Sequence, residues 1–130
     1  MKKKIFLACL VALMSTTSAY PYTGECNGGT IVESTTGATF CMSNKSMNWW
    51  SAQAWCQANG SQLATIYEMC PRWDGNTGSN KSPELNGKGS GYDAWSATAR
   101  GSDSAFYVTL SDGYVSYLGR NDGNYSAFCR

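Results

Sequence analysis

One tryptophan-rich stretch in the first half of the chain constrains the fold more than any other part. Trp49, Ala52 and Cys56 are spaced three and four residues apart, which places them on one face of a helix. Asn48 is suited to cap the first turn, and Gly60 is suited to end the helix in left-handed backbone. Because a helix this short is marginal alone in water, we expect packing and a covalent bond at Cys56 to hold it.

The N-terminal residues have the three-part pattern of a secretory signal peptide. Three lysines are followed by an apolar run from Ile5 to Met14, and small Thr17 and Ala19 stand where a signal peptidase reads. The run is well below the roughly 20 apolar residues that a membrane-spanning helix needs. We therefore predict a signal peptide at residues 1–19, and cleavage before Cys9 to give a lipoprotein is the alternative.

The predicted mature chain, residues 20–130, is short enough for a single domain. Removing the three N-terminal lysines changes the formal charge from +1 to −2. A weakly acidic chain without a basic tract is a poor match for phosphate, so we expect no nucleic-acid partner. The expected location is secreted, periplasmic or on the cell surface, without insertion into a membrane.

The absence of histidine removes several kinds of active site. It excludes Ser-His-Asp and Cys-His catalysis and every zinc site that uses imidazole. Acidic pairs such as Asp103 with Asp112, or Glu68 with Glu84, have no spacing that indicates carboxylate catalysis. We therefore predict that the protein is not an enzyme and uses no cofactor or metal.

Five cysteines remain in the predicted mature chain, and an exported chain uses cysteines mainly in disulfides. They are Cys26, Cys41, Cys56, Cys70 and Cys129. None forms a close Cys-x-x-Cys pair, which argues against a zinc site and against a redox motif. Bridges would stabilise a domain with a small core, and the odd number leaves one thiol over.

A β-hairpin is predicted near the start of the mature chain. Residues 30–34 and 38–42 are rich in strand-forming residues, and Gly37 supplies a turn between them. Because Cys26 and Cys41 flank this hairpin, a local Cys26–Cys41 disulfide is the simplest pairing.

A second short helix and a long glycine-rich loop are predicted in the middle of the chain. Thr65 followed by Glu68 fits a capping box, and Pro71 ends the helix that it begins. Residues 72–93 lack a regular pattern, and a loop of this length is usually either functional or disordered. Trp73 and Tyr92 are the loop residues best suited to anchor it or to bind a ligand.

The final third is predicted to be a meander of strands. The strand candidates are residues 94–99, 104–110, 114–118 and 125–129. Asp-Gly pairs in the turns 111–113 and 121–124 are typical of hairpins, so we expect consecutive strands to be neighbours.

This combination resembles the C-type lectin-like domain over about residues 26–130. The helix matches the family pattern Trp-x-x-Ala-x-x-x-Cys, with Gly-x-x-Leu-Ala after it, and residues 125–130 match the closing strand. The matching positions are Trp49, Ala52, Cys56, Gly60, Leu63, Ala64 and Cys129. The resemblance implies an α+β fold of two short helices, a small antiparallel sheet and a long irregular loop. It also implies a Cys56–Cys129 disulfide and likens the Cys26–Cys41 pair to the extra hairpin bridge of longer members.

Two departures from the family pattern argue against calcium. The only loop proline stands in Ser82-Pro83-Glu84-Leu85, which lacks the oxygen ligands around it, and Asn121-Asp122 lacks the family's preceding tryptophan. Calcium takes six to eight oxygens, and no such set is visible. Cys70 has no obvious partner, so it is either buried and inert or bonded to another chain.

The resemblance implies a non-catalytic binding module, secreted or surface-displayed, that recognises a glycan or a protein on a cell surface without calcium. Tyrosine offers a broad contact surface at low entropic cost. The candidate ligand-binding residues are Tyr92, Trp95, Arg100, Asp103, Tyr107, Tyr114, Tyr117, Arg120, Asn121, Asp122, Asn124 and Tyr125. The alternative is a structural subunit of a surface appendage or envelope assembly, with a disulfide-linked partner at Cys70.

Overall fold

The computed structural model describes residues 21–89 and 91–130, and this part of the chain folds into six strands and two helices. The elements in chain order are β1 (Gly29–Glu33), β2 (Thr39–Met47), α1 (Trp49–Ala58), α2 (Ile66–Met69), β3 (Asp93–Arg100), β4 (Ser104–Thr109), β5 (Tyr114–Gly119) and β6 (Tyr125–Cys129). The predicted signal peptide, residues 1–19, lies outside the described residues.

The six strands form one sheet in the order β1-β2-β6-β3-β4-β5. Neighbouring strands are antiparallel except β3 and β6, which run parallel and pair at Ala94 and Ser126. The predicted α+β class is confirmed. The expectation of a purely antiparallel sheet is wrong, because β6 enters the sheet beside β3 in the same direction.

The connection from β5 to β6 differs from the predicted hairpin. Ser111-Asp112-Gly113 joins the antiparallel neighbours β4 and β5, as expected. Residues 120–124, here called the crossing connection, instead lead from β5 to β6, which are parallel and lie three positions apart in the sheet order. The reason lies in β6 itself, where Ala127 and Phe128 are buried on opposite faces, as suits a central strand.

Helix α1 covers one face of the sheet, here called the α1 face. Trp49, Ala52 and Cys56 are its buried residues, as the spacing predicted. The Oδ1 atom of Asn48 accepts a hydrogen bond from the Ser51 amide at 2.9 Å, which confirms the predicted N-cap. The three buried residues of α1 pack in one apolar cluster with residues of β2, β3, β4 and β6.

Helix α2 and the long loop cover the opposite face, here called the loop face. The capping box is confirmed, since the Glu68 amide donates to Thr65 Oγ1 and the Thr65 amide donates to Glu68 Oε1. The loop packs on the core through Leu85, which is fully buried. It also pairs with the edge of β5, where the Gly78 and Val115 backbones exchange hydrogen bonds of 2.8 and 3.0 Å.

Two disulfides close the fold, and both expected pairings are confirmed. Cys26 is bonded to Cys41 beside the β1–β2 hairpin, with Cα atoms 5.7 Å apart. Cys56 is bonded to Cys129, which ties α1 to β6 with Cα atoms 5.5 Å apart. Disulfides of this kind indicate an oxidising compartment. Neither described helix has the length and apolar character to cross a membrane.

Candidate functional site

The α1 face has an open part where no helix covers β4 and β5. Strand pairing aligns Tyr107 with Ser116 and Thr109 with Tyr114, and side chains two residues apart share a face. Tyr125 of β6 joins them, because it packs in the same cluster as Tyr107. We call Tyr107, Tyr114, Ser116 and Tyr125 the tyrosine face; all four are half-buried.

Two phenol rings in contact, with their planes tilted by 38°, lie at the centre of the tyrosine face. The ring centroids of Tyr107 and Tyr125 are 4.4 Å apart, and Tyr125 meets the indole of Trp95 edge-on at 5.0 Å. Trp95 is fully buried and its Nε1 donates to the Met47 carbonyl at 2.9 Å. Trp95 is therefore a core residue that supports the two tyrosines and cannot itself touch a ligand at the surface.

Two carboxylates belong to the segments beside this ring pair. Asp93 Oδ1 accepts a hydrogen bond of 2.5 Å from Thr109 Oγ1 at the start of β3, and Asp122 Oδ1 accepts one of 2.9 Å from the Asn124 amide in the crossing connection. Burial raises the pKa of Tyr125, and a hydrogen bond to Tyr107 and the charges of both carboxylates raise it further. The Tyr125 hydroxyl therefore stays protonated at physiological pH.

Two of the predicted contact residues lie on the loop face instead. The Arg100 guanidinium stacks on the Tyr117 ring at 3.7 Å from its centroid. Tyr117 in turn meets Phe106 at 6.1 Å, Phe106 meets Trp73 at 4.9 Å, and Trp73 meets Tyr67 at 5.5 Å. Arg100 and Tyr117 thus belong to a separate aromatic strip, of which Tyr67 and Phe106 were missed from the sequence.

Arg120 holds one end of the molecule together. Its Nε donates to the Ser104 carbonyl at 3.1 Å and its Nη2 to the Gly101 carbonyl at 3.0 Å. Its guanidinium lies 4.8 Å from the Trp49 ring centroid and 5.6 Å from that of Trp50. These contacts give Arg120 a structural role, tying the crossing connection to α1 and to the β3–β4 turn.

The remaining predicted residues occupy exposed positions at the ends of strands. Asp103 lies in the β3–β4 turn, where its carbonyl accepts from the Arg120 amide at 2.8 Å. Asn121 and Asn124 are exposed in the crossing connection. Tyr92 is 41% exposed directly before β3, and its carbonyl accepts from the Leu110 amide.

The structure therefore brings only part of the predicted set together. The predicted residues on or beside the tyrosine face are Tyr107, Tyr114, Tyr125, Asp122 and Asn124. Asp93 and Ser116 also belong there and were missed. A signal for both existed in the period-two alternation, because Asp93 precedes Trp95 by two residues and Ser116 follows Tyr114 by two.

Comparison of the chain with protein-family models gives no match, and comparison with curated proteins gives none either. The resemblance to the C-type lectin-like domain therefore stays a prediction.

Across residues 21–89 and 91–130, no three or more Cys, Asp or Glu side chains are grouped so that they could hold a metal ion. The tyrosine face offers ring faces, hydroxyl donors and carboxylate acceptors, which suit reversible binding.

A cleft of about 350 Å³ lies away from the tyrosine face, between the N-terminal segment and α2. Pro21, Phe40, Glu68 and Arg130 are among its lining residues. Arg130 Nε lies 2.8 Å from Glu68 Oε2, and the other Glu68 oxygen caps α2. Because both charged groups are paired within the chain, the cleft has little free polar function to offer a ligand.

Cys70 is the one free cysteine among the described residues, and it lies in the loop-face core. Burial raises the pKa of its thiol to about 12, and the charge of nearby Glu84 adds to the shift. An interchain disulfide needs an accessible thiolate, so the predicted disulfide-linked partner at Cys70 finds no support in the structure.

Proposed function

We propose that the mature chain is an exported, non-catalytic module that binds a glycan or a protein on a cell surface through the tyrosine face, without calcium. The observation that carries the proposal is the Tyr107–Tyr125 ring pair on an uncovered part of the sheet. Tyrosine rings combine apolar area with a hydroxyl that can hydrogen-bond, and they lose little entropy when a ligand covers them.

The rigidity of the scaffold also supports a binding role. Tyr107 and Tyr125 stand on β4 and β6, on either side of β3, where Trp95 pairs with Tyr107 and its buried indole meets Tyr125 edge-on. A site on strands is held more precisely than a site on a loop, and a preorganised surface loses less free energy on binding. The two disulfides suit a domain that works outside the reducing cytoplasm.

Binding of the labelled mature protein to a glycan array and to an array of extracellular proteins tests this proposal. We expect a signal that persists in the presence of a calcium chelator. Tyr114→Ala and Tyr125→Phe should each weaken it by up to about tenfold, because each removes a contact from the tyrosine face. Tyr117→Phe is the matched control, since Tyr117 lies on the loop face.

Two results would contradict the proposal. Binding that disappears with the chelator would show that the ligand is bound through calcium. Binding that Tyr117→Phe weakens as much as Tyr125→Phe would move the site to the loop face or reveal a general loss of structure, and thermal unfolding of each variant separates those causes.

A further inference from the structure

We propose that the tyrosine face takes up a cationic side chain, lysine or arginine, of a protein ligand. This inference deepens the proposed binding function and rests on it. It selects a protein with an exposed basic residue over a glycan as the occupant of this uncovered part of the sheet.

The charge of the surface is the first support. Among the described residues, the ion pairs are Arg72 with Glu84, Lys81 with Asp74, and Arg130 with Glu68. Asp93 and Asp122 belong to none of them. Their side chains accept hydrogen bonds from the neutral donors Thr109 Oγ1 and the Asn124 amide. The two carboxylates therefore carry negative charge that no cation of residues 21–89 and 91–130 pairs with.

The arginines of the C-terminal strands and turns leave this charge uncompensated. Arg100 lies on the opposite face, stacked on the ring of Tyr117. Arg120 donates to the Ser104 and Gly101 carbonyls and lies over the indole of Trp49. Both guanidinium groups are thus engaged elsewhere, and neither forms an ion pair with Asp93 or Asp122.

The aromatic pair gives the second support. The face of a phenol ring attracts a cation, and an ammonium or guanidinium group beside carboxylates gains from both interactions. Ala94 of β3 pairs with Ser126 of β6, which places Asp93 beside Tyr125 in the sheet, and Asp122 precedes Tyr125 by three residues. Ring face and carboxylates therefore converge on one small area.

The same chemistry decides between the two ligand classes. The hydroxyls of a neutral sugar can donate to the two carboxylates but leave their charge uncompensated, and an acidic sugar is repelled by them. A basic side chain gains electrostatic attraction that also accelerates encounter at low salt. Charge complementarity thus favours a protein partner with an exposed lysine or arginine.

The test is a titration of the ¹⁵N-labelled mature protein with a hexalysine peptide, followed by amide chemical shifts. We expect shifts at Tyr107, Tyr114 and Tyr125, and a loss of affinity when NaCl rises from about 0.01 M to about 1 M, where the Debye length falls to ~3 Å. The double variant Asp93→Asn/Asp122→Asn should bind about tenfold more weakly. Asn retains the Oδ1 acceptor that Thr109 and the Asn124 amide use.

Asp103→Asn is the matched control, because Asp103 is exposed in the β3–β4 turn and belongs to no ion pair of the described residues. The inference is overturned if hexaglutamate binds as well as hexalysine, or if Asp103→Asn weakens binding as much as the double variant. Array binding that depends on Tyr125 but not on Asp93 and Asp122 would sink only this inference. Array binding that is insensitive to the tyrosines would remove the proposed function itself.

Discussion

At the scale of single residues, the least satisfied group in the described chain is the carboxylate of Glu84. Its side chain is only 2% exposed, and neither oxygen has a hydrogen-bond partner. The nearest cation is Arg72 Nε at 3.8 Å, on a side chain that is 85% exposed to water. A buried charge without donors opposes folding.

Replacing Glu84 by methionine should therefore stabilise the protein. The change keeps the side-chain length and removes the desolvated carboxylate, and we expect a gain of about 1–3 kcal/mol in the free energy of unfolding. Denaturant unfolding of the disulfide-bonded protein measures it, with Arg72→Met as a control that should change stability little. A clear loss of stability in Glu84→Met would mean that the carboxylate has a partner, such as a buried water.

The buried thiol of Cys70 gives a second prediction at this scale. Because burial raises the pKa of the Cys70 thiol from 9.0 to about 12, the native protein should resist thiol reagents at pH 8 and react at one thiol per mature chain once unfolded. The unfolded thiol ionises first, so stability should fall as pH rises from about 9 towards 12. Kinetics with a chromogenic thiol reagent test the first statement, and fast native labelling would contradict it.

At the scale of elements, the two disulfides should differ in what they contribute. The Cys26–Cys41 bridge closes a separation of 15 residues and the Cys56–Cys129 bridge one of 73. Chain-entropy estimates give about 3 kcal/mol for the short loop and about 4 kcal/mol for the long one. Paired cysteine-to-alanine variants in denaturant unfolding should show the larger loss for Cys56 and Cys129; equal or reversed losses would indicate that local strain dominates.

Local elements could be predicted because their signals lie within a few residues. The Asn48 cap, the Thr65–Glu68 capping box and the β1–β2 hairpin all follow from adjacent side chains. The placement of β6 could not, because the turn at residues 121–124 has the composition of a hairpin. What decides its place is burial on both faces between β2 and β3, which depends on strands far away in sequence.

At the scale of the whole molecule, contacts between strands far apart in sequence explain why part of the candidate site could not be predicted. Composition located a tyrosine-rich region, but only strand register divides it between two faces. Register places Tyr107 beside Ser116 and Phe106 beside Tyr117, so Tyr107 and Tyr117 face opposite sides of the sheet. Trp95 was a reasonable contact residue by composition and is a core residue by packing.

The central position of β6 makes completion of the sheet a late step in folding. The hairpin of β1 and β2 and the three-stranded unit of β3, β4 and β5 can form locally, but each keeps an unpaired inner edge until β6 fills the gap. Residues 125–129 are synthesised after all the strands they join. The hairpin and the three-stranded unit therefore cannot be joined into one sheet until β6 has been made. A chain whose sheet is completed by its last strand cannot reach its native strand order before that strand has been made, and the Cys56–Cys129 disulfide can close the fold only then.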